Sequence, residues 1–366
     1  MNERKKLVLH IGQHKTGSKF LQTFLALNGR NLNSHGILYP TTLNYQEVSA
    51  YRNSHFNLYA LLRKEIIESC SVNASDDLFW TEHGQYAAQL KSISELFGFI
   101  EMESLRINAH TIVMSSEDIF DMHTAHELDF SLDLVKRAAI MLLEYSKEFK
   151  WDPIIVIYLR RPDYLLNAHY AQFIKGKSSN AIEFNEFHTK FSPRLDALKI
   201  LDIWGSVFDK SQLKVRPYDD TPHRTEIVSD FFYDVLNLNL DDAWISVPQE
   251  LEYLNITPDP EYTDLIRQIN HGSKILAGLV SREDLLRLAF EKRSNHALSS
   301  FLSETLVSSL IDKYDNDYKL IAEKFMHRKK FFIKPWIAQT QINEHKTCLS
   351  TLDKFFITLK SIRLKL

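Results

Sequence analysis

The stretch "LVLHIGQHKTGSKFLQTFL", residues 7–25, joins an apolar run to a glycine-bounded loop and then to a second run with a different period. "KLVLHIG" is short, rich in β-formers and stopped by Gly12, which reads as a buried strand. "SKFLQTFLALN" repeats Phe20, Leu21, Phe24 and Leu25 at helical spacing. A strand, a glycine turn and a helix in that order aim backbone N–H groups and the positive end of a helix dipole at one point above the strand, where an anion fits. Gly12 and Gly17 keep the glycine spacing of a Walker-type loop, but Ser18 follows Gly17 where that loop has its lysine, and the lysine stands earlier, at Lys15. Ser18 can cap the helix and donate a hydroxyl, while Lys15 and Lys19 bring charge from two sides. The alternative is an ordinary strand-to-helix turn with solvated lysines.

Composition bounds the possibilities. With 366 residues, 44% of them hydrophobic, the chain can bury a sizeable core. Its 44 basic and 47 acidic side chains nearly cancel, so nothing global points to nucleic acid, and any anion site must be local. Two cysteines, Cys70 and Cys348, are too few for a disulfide framework or a cysteine-built zinc site. The apolar stretch near residue 7 is too short for a signal segment, and no run reaches the length of a membrane span, which predicts a cytoplasmic protein.

Strand and helix signals alternate, predicting an α/β fold with a mostly parallel central sheet flanked by helices. "HGILYP", "HTIVMSSED" from His110, "DPIIVIYLRRP" from Asp152 and "QLKVRPYDD" from Gln212 are the further strands, with helical and loop insertions over about 41–105. In such sheets ligands lie beyond the carboxyl ends of the strands, so the charged residues closing these runs are the candidates for chemistry.

Two of these segments together resemble the bacterial carbohydrate-type sulfotransferases that use 3′-phosphoadenosine 5′-phosphosulfate (PAPS). Their first signature, HIGxxKTGTTxLQ, is matched by His10, Ile11, Gly12, Lys15, Thr16, Gly17, Ser18, Leu21 and Gln22. Their second, a strand ending in YLR, then an arginine or aspartate, with a serine eight residues after the first arginine and a tyrosine soon after, is matched by Tyr158, Leu159, Arg160 and Tyr170, with Ala168 at the serine position. The resemblance implies a P-loop-like fold over 1–327. It implies that Gly12, Lys15, Thr16, Gly17, Ser18 and Lys19 grip the 5′-phosphosulfate, and that Lys15 stabilises the leaving phosphate. It also puts Arg160 on the 3′-phosphate, a fork-shaped donor that selects against ATP. Asn167 or His169 would replace the hydroxyl lost at Ala168, and Arg216 is a further cofactor or substrate contact, with a packing or ion-pair arginine as its alternative. No metal is required on this reading, since sulfuryl transfer needs mainly alignment and charge stabilisation.

The acceptor, a saccharide or glycolipid hydroxyl and less readily an amine, needs a base. Glu117, in "VMSSEDIF", matches the glutamate base of carbohydrate-type relatives. His14 and His55 are the other candidates, each with a structural alternative, as Glu117 has in helix capping. "DMHTAHELD" sets His123 and His126 among carboxylates, but a polar helix surface explains it better than a metal site. The basic tail, 328–366, carries Leu349, Leu352, Phe355, Phe356, Leu359, Ile362 and Leu366 as an apolar stripe beside lysines and arginines. It predicts an amphipathic helix that packs on the protein or touches an anionic membrane surface peripherally. A metal-dependent kinase with a degenerate loop and a nucleotide-binding regulatory protein without turnover are the rival functions.

Overall fold

The computed structural model describes residues 4–40, 53–69, 90–123, 130–220, 225–241, 243–247, 258, 260–272, 281–291 and 300–333. The chain divides into two compact units. Unit 1 comprises Met1–Arg160, Asp196–Glu252 and Asn316–Lys334; the described part of unit 2 lies within Arg161–Leu195 and Tyr253–Asp315.

Unit 1 is built on the five expected strands, β1 (Lys5–Gly12), β2 (Ile37–Leu38), β3 (Thr111–Ser115), β4 (Trp151–Leu159) and β5 (Leu213–Pro217). They form one sheet in the order β2-β3-β1-β4-β5, with every pairing parallel. Leu7, Val8, Leu9 and Ile11 are at most 1% exposed, as a central strand covered on both faces requires. The first helix, α1 (Ser18–Leu27), lays Leu21, Phe24 and Leu25 onto Val8, Val113 and Val156 beside Phe231 and Phe232. Burial of each such side chain stabilises by about 1.5–3 kcal/mol. On another side of the core, the helix Leu132–Glu148 packs on β4 and on the helices Phe56–Ser69 and Ala197–Val207.

β1 sits between strands reached by connections running to opposite sides, so its carboxyl end is the point where such a sheet leaves a crevice. The ladder between β1 and β4 shifts register between His10 and Gly12, which turns the chain out of the sheet there.

Unit 2 is helical. Its helix Pro162–Gly176 begins with proline, whose fixed φ suits a first turn, and packs on the helices Phe184–Phe191 and Pro260–Asn270. Tyr170 meets Phe184, Phe187 and Phe301 in an aromatic cluster.

The start of the predicted tail is not helical. Phe331 and Phe332 are buried against Tyr318, and the Ile333 N–H donates to Asp220 Oδ1 at 2.7 Å, so residues 328–333 are part of unit 1. The apolar stripe from Leu349 onward, both cysteines, His126 and all of 41–52 and 70–89 lie outside the described residues. Among the described residues no helix is long and apolar enough to cross a membrane.

Candidate active site

The loop between β1 and α1 is fixed by close approaches that only glycine permits. Gly12 has φ +133, and a Cβ there would stand 2.9 Å from the carbonyl oxygen of Glu117; Gly17 has φ +77, and its Cβ would stand 3.2 Å from the Tyr218 ring. Between them Lys15 also adopts the left-handed region, at φ 64, where a side chain costs about 1–2 kcal/mol. The loop compensates through its neighbours. The Gln13 N–H donates to Tyr158 O at 2.8 Å, and Gln13 Oε1 accepts the Arg160 N–H at 3.1 Å. Thr16 Oγ1 donates to Gln13 O at 2.5 Å, and Arg160 Nη1 donates to Lys15 O at 3.1 Å.

The helix that follows starts without a side-chain cap, because Gly17 occupies the cap position. The Phe20 and Leu21 N–H groups donate to Gly17 O, while those of Ser18 and Lys19 have no acceptor within the helix. Ser18, 5% exposed, has a buried hydroxyl with no hydrogen-bond partner among the described residues. An uncapped helix start beside an orphaned buried hydroxyl, a half-buried Lys15 and Lys19 is a donor set that fits a phosphate or sulfate group.

Arg160 and Arg161 are neighbours in sequence with separate partners. Arg160 lies in unit 1, its Nε 3.4 Å from Asp219 Oδ1, its guanidinium carbon 5.6 Å from the centre of the Tyr218 ring, and its carbonyl held by the Tyr318 hydroxyl at 3.0 Å. Arg161, in unit 2, forks onto Asp163 at 3.2 and 2.8 Å and lies 4.4 Å above the Tyr164 ring. Asn167 and Ala168 also belong to unit 2. Asn167 Oδ1 accepts the Phe301 N–H at 2.9 Å and the Ser300 hydroxyl at 3.4 Å, a packing role. The ring of His169 lies against Phe191.

Glu117 opens a short 3₁₀ turn, Glu117–Ile119, directly after β3 and against the loop at Gly12. Gln22 Nε2 donates to its Oε2 at 2.7 Å, so the base candidate is tied to α1. Tyr39 lies near enough that burial first, and the Glu117 charge second, push its hydroxyl pKa well above the ordinary value. His14, within the loop, has Nε2 at 3.6 Å from Asp118 Oδ1 and 3.8 Å from Asp121 Oδ1.

Two residues on the candidate list have posts that occupy their polar atoms. His55 is 1% exposed; its Nδ1 accepts the Ser115 N–H at 3.0 Å and its Nε2 donates to Pro40 O at 2.8 Å. Burial lowers its pKa to about 4, against the smaller opposing effect of those backbone bonds. Neither ring nitrogen is left for an acceptor's proton, which corrects its candidacy as base. Arg216 Nε donates to both oxygens of Asp230, at 3.1 and 2.9 Å, and its Nη2 bonds Asp230 and Asp234. Burial opposes its charge, but the bonds and field of the two aspartates prevail and raise its pKa. Arg216 is therefore an ion-pair arginine, the alternative reading of that residue.

Sequence reasoning gave no role to Gln13, to Asp219 or to Gln22, which it named only as part of the first signature. Gln22 carried a signal: it is 2% exposed on the apolar side of α1, where a polar residue needs a partner. Among the described residues no group of three or more His, Cys, Asp or Glu is placed to hold a metal ion.

No protein-family model matches the chain, and no curated relative was found. Among solved structures it is similar to the sulfotransferase domain from the Synechococcus PCC 7002 olefin synthase, at 12% identity over 81% of this chain and 98% of that one, with a TM-score of 0.35. It is similar also to the sulfotransferase domain from the curacin biosynthetic pathway, at 13% identity over 80% of this chain and 98% of that one, again with a TM-score of 0.35. So distant a likeness carries no functional argument; the loop residues do.

Proposed function

We propose that this chain is a PAPS-dependent sulfotransferase acting on a hydroxyl of a saccharide-containing acceptor. The observation that supports this reading best is the placement of Lys15. It lies inside the loop, its carbonyl bonded to Arg160, while the position after Gly17 that a kinase gives to lysine holds Ser18, whose buried hydroxyl has no partner among the described residues. Gly12, Thr16, Gly17, Ser18 and Lys19 would hold the 5′-phosphosulfate end and Arg160 the 3′-phosphate. When bound, PAPS supplies the sulfuryl group. Lys15 and the α1 dipole would face the negative charge on the leaving oxygen, the role that magnesium fills in a kinase. Glu117 would take the acceptor's proton. The saccharide class of the acceptor follows from the resemblance of the two signatures and the glutamate base.

Thermal shift with 3′,5′-ADP, ADP plus magnesium and ATP plus magnesium tests the nucleotide side. Stabilisation by 3′,5′-ADP without metal, about 2.7 kcal/mol at one hundred times its dissociation constant, is the expected result. A larger response to ATP with magnesium would move the chain to the kinases. Transfer of labelled sulfate from PAPS to a panel of sugars, glycolipids, phenols and alkyl alcohols tests the acceptor; labelling confined to the last two would remove the saccharide assignment.

A further inference from the structure

Resting on that reading, we infer that Gln22 is the positioning residue of the base: it holds Oε2 of Glu117 and leaves Oε1 to receive the acceptor's proton. The hydrogen-bond directions follow from chemistry. The Gln22 side-chain amide nitrogen has two protons and only donates, and it lies 2.7 Å from Glu117 Oε2 and 3.1 Å from Ser115 Oγ. Ser115 Oγ also lies 2.7 Å from His10 Nδ1, and its hydroxyl either donates there or accepts a second proton according to the tautomer. The His10 ring takes the matching tautomer. It is fully buried, edge-on to the rings of Tyr158 and Phe231, and burial lowers its pKa to about 3, so it stays neutral.

The bonds thus diverge from Gln22, one to Glu117 Oε2 and one to Ser115 Oγ. Oε2 of Glu117 receives a proton donor that cannot turn around, so it is a poor place to put another proton. Oε1 has no partner among the described residues. When the acceptor's oxygen forms its bond to sulfur and the bond from sulfur to the leaving phosphate oxygen breaks with its electron pair, the acceptor's proton moves to Oε1. Because Gln22 sits one turn into the helix whose start forms the phosphate loop, cofactor loop and base share one rigid element.

A double-mutant cycle separates positioning from mere packing. Gln22→Met keeps the length and removes both donors. We expect kcat to fall by roughly ten- to a hundredfold, with 3′,5′-ADP affinity within about twofold of the parent. In a Glu117→Gln background the same change should lower kcat no further; independent, multiplying losses would overturn the inference. A second readout does not need turnover. With 13Cδ-labelled glutamate, the Glu117 carboxyl resonance, identified by its loss in Glu117→Gln, should move in Gln22→Met, or in Gln22→Leu where the methionine variant does not fold. An unmoved resonance sinks the relay. A moved resonance in a protein that transfers no sulfuryl group keeps the relay and sinks the proposed function instead.

Discussion

Arg160 Nη1 donates to the carbonyl oxygen of Lys15 at 3.1 Å, so the arginine proposed to read one phosphate also braces the backbone that carries the lysine proposed to serve the other. Arg160→Ala should therefore weaken 3′,5′-ADP binding by about ten- to a hundredfold, the range for a hydrogen bond to a charged group. Arg161→Ala should barely affect binding but should destabilise by about 3 kcal/mol, because Asp163 is left buried beside it. Calorimetric titration and urea unfolding of both variants give the comparison; equal losses of affinity would remove Arg160 from the site.

Lys15 makes a prediction of opposite signs. Its left-handed backbone suits glycine, so Lys15→Gly should unfold at a higher temperature, by about 1 kcal/mol of relieved strain. Turnover should fall by about a hundred- to a thousandfold, as for loss of one donor to a developing charge. Lys15→Ala should lose the same activity with no gain in stability. Activity surviving in Lys15→Gly would exclude the charge role.

The two loop glycines should differ in tolerance. A methyl at Gly12 meets the Glu117 backbone at 2.9 Å, whereas one at Gly17 meets a tyrosine ring at 3.2 Å. Gly12→Ala should be the more destabilising, because a ring can shift by a few tenths of an ångström and that carbonyl is held by its turn. Chemical unfolding of both variants checks the order.

Glu117→Gln should retain nucleotide binding and lose transfer by about a hundredfold or more. Parallel thermal shift and single-turnover assays separate the two; near-normal transfer would move the base to His14.

Acid should unfold unit 1 early. His10 and His55, neutral when folded with pKa values of about 3 and about 4, take up protons near 6.5 once unfolded. The unfolded state binds more protons in that interval, so stability falls as the pH drops through it, by on the order of 3 kcal/mol for each histidine at about pH 4. His55→Gln should flatten the pH dependence of urea unfolding between about pH 6.5 and 4. An unchanged slope would mean that His55 is not buried in its neutral form.

What the sequence revealed and what it hid follow one division. The strands were legible because Leu7 to Ile11, Ile112 to Met114 and Ile155 to Leu159 are apolar runs that only a sheet covered on both faces demands. The loop was legible because its glycine spacing is local. The fates of His55 and Arg216 were not, since each depends on a partner from another element: Ser115 N–H and Pro40 O for one, Asp230 and Asp234 for the other. The two aspartates lie one helical turn apart after β5, a hint that an arginine at its end would be claimed. Gln13 and Asp219 gave no such hint; their roles arise when β4 and β5 meet the loop.

The three-part composition of unit 1 bears on how a ribosome delivers it. The glycine-bounded loop and Arg160 emerge in the first 160 residues, but β5 and Asp219 follow a stretch that belongs to the other unit, and Tyr318, which holds the Arg160 carbonyl, comes almost a hundred residues after that. Vectorial folding of one finished domain before the next begins is thus closed to this chain. The nascent polypeptide must carry β4 as an uncovered sheet edge until β5 is made, and the crevice beside Arg160 stays unfinished until Tyr318 follows. Truncated products ending before β5 at Leu213 would leave the exit tunnel with that edge still bare, which makes them natural clients for chaperones and proteases.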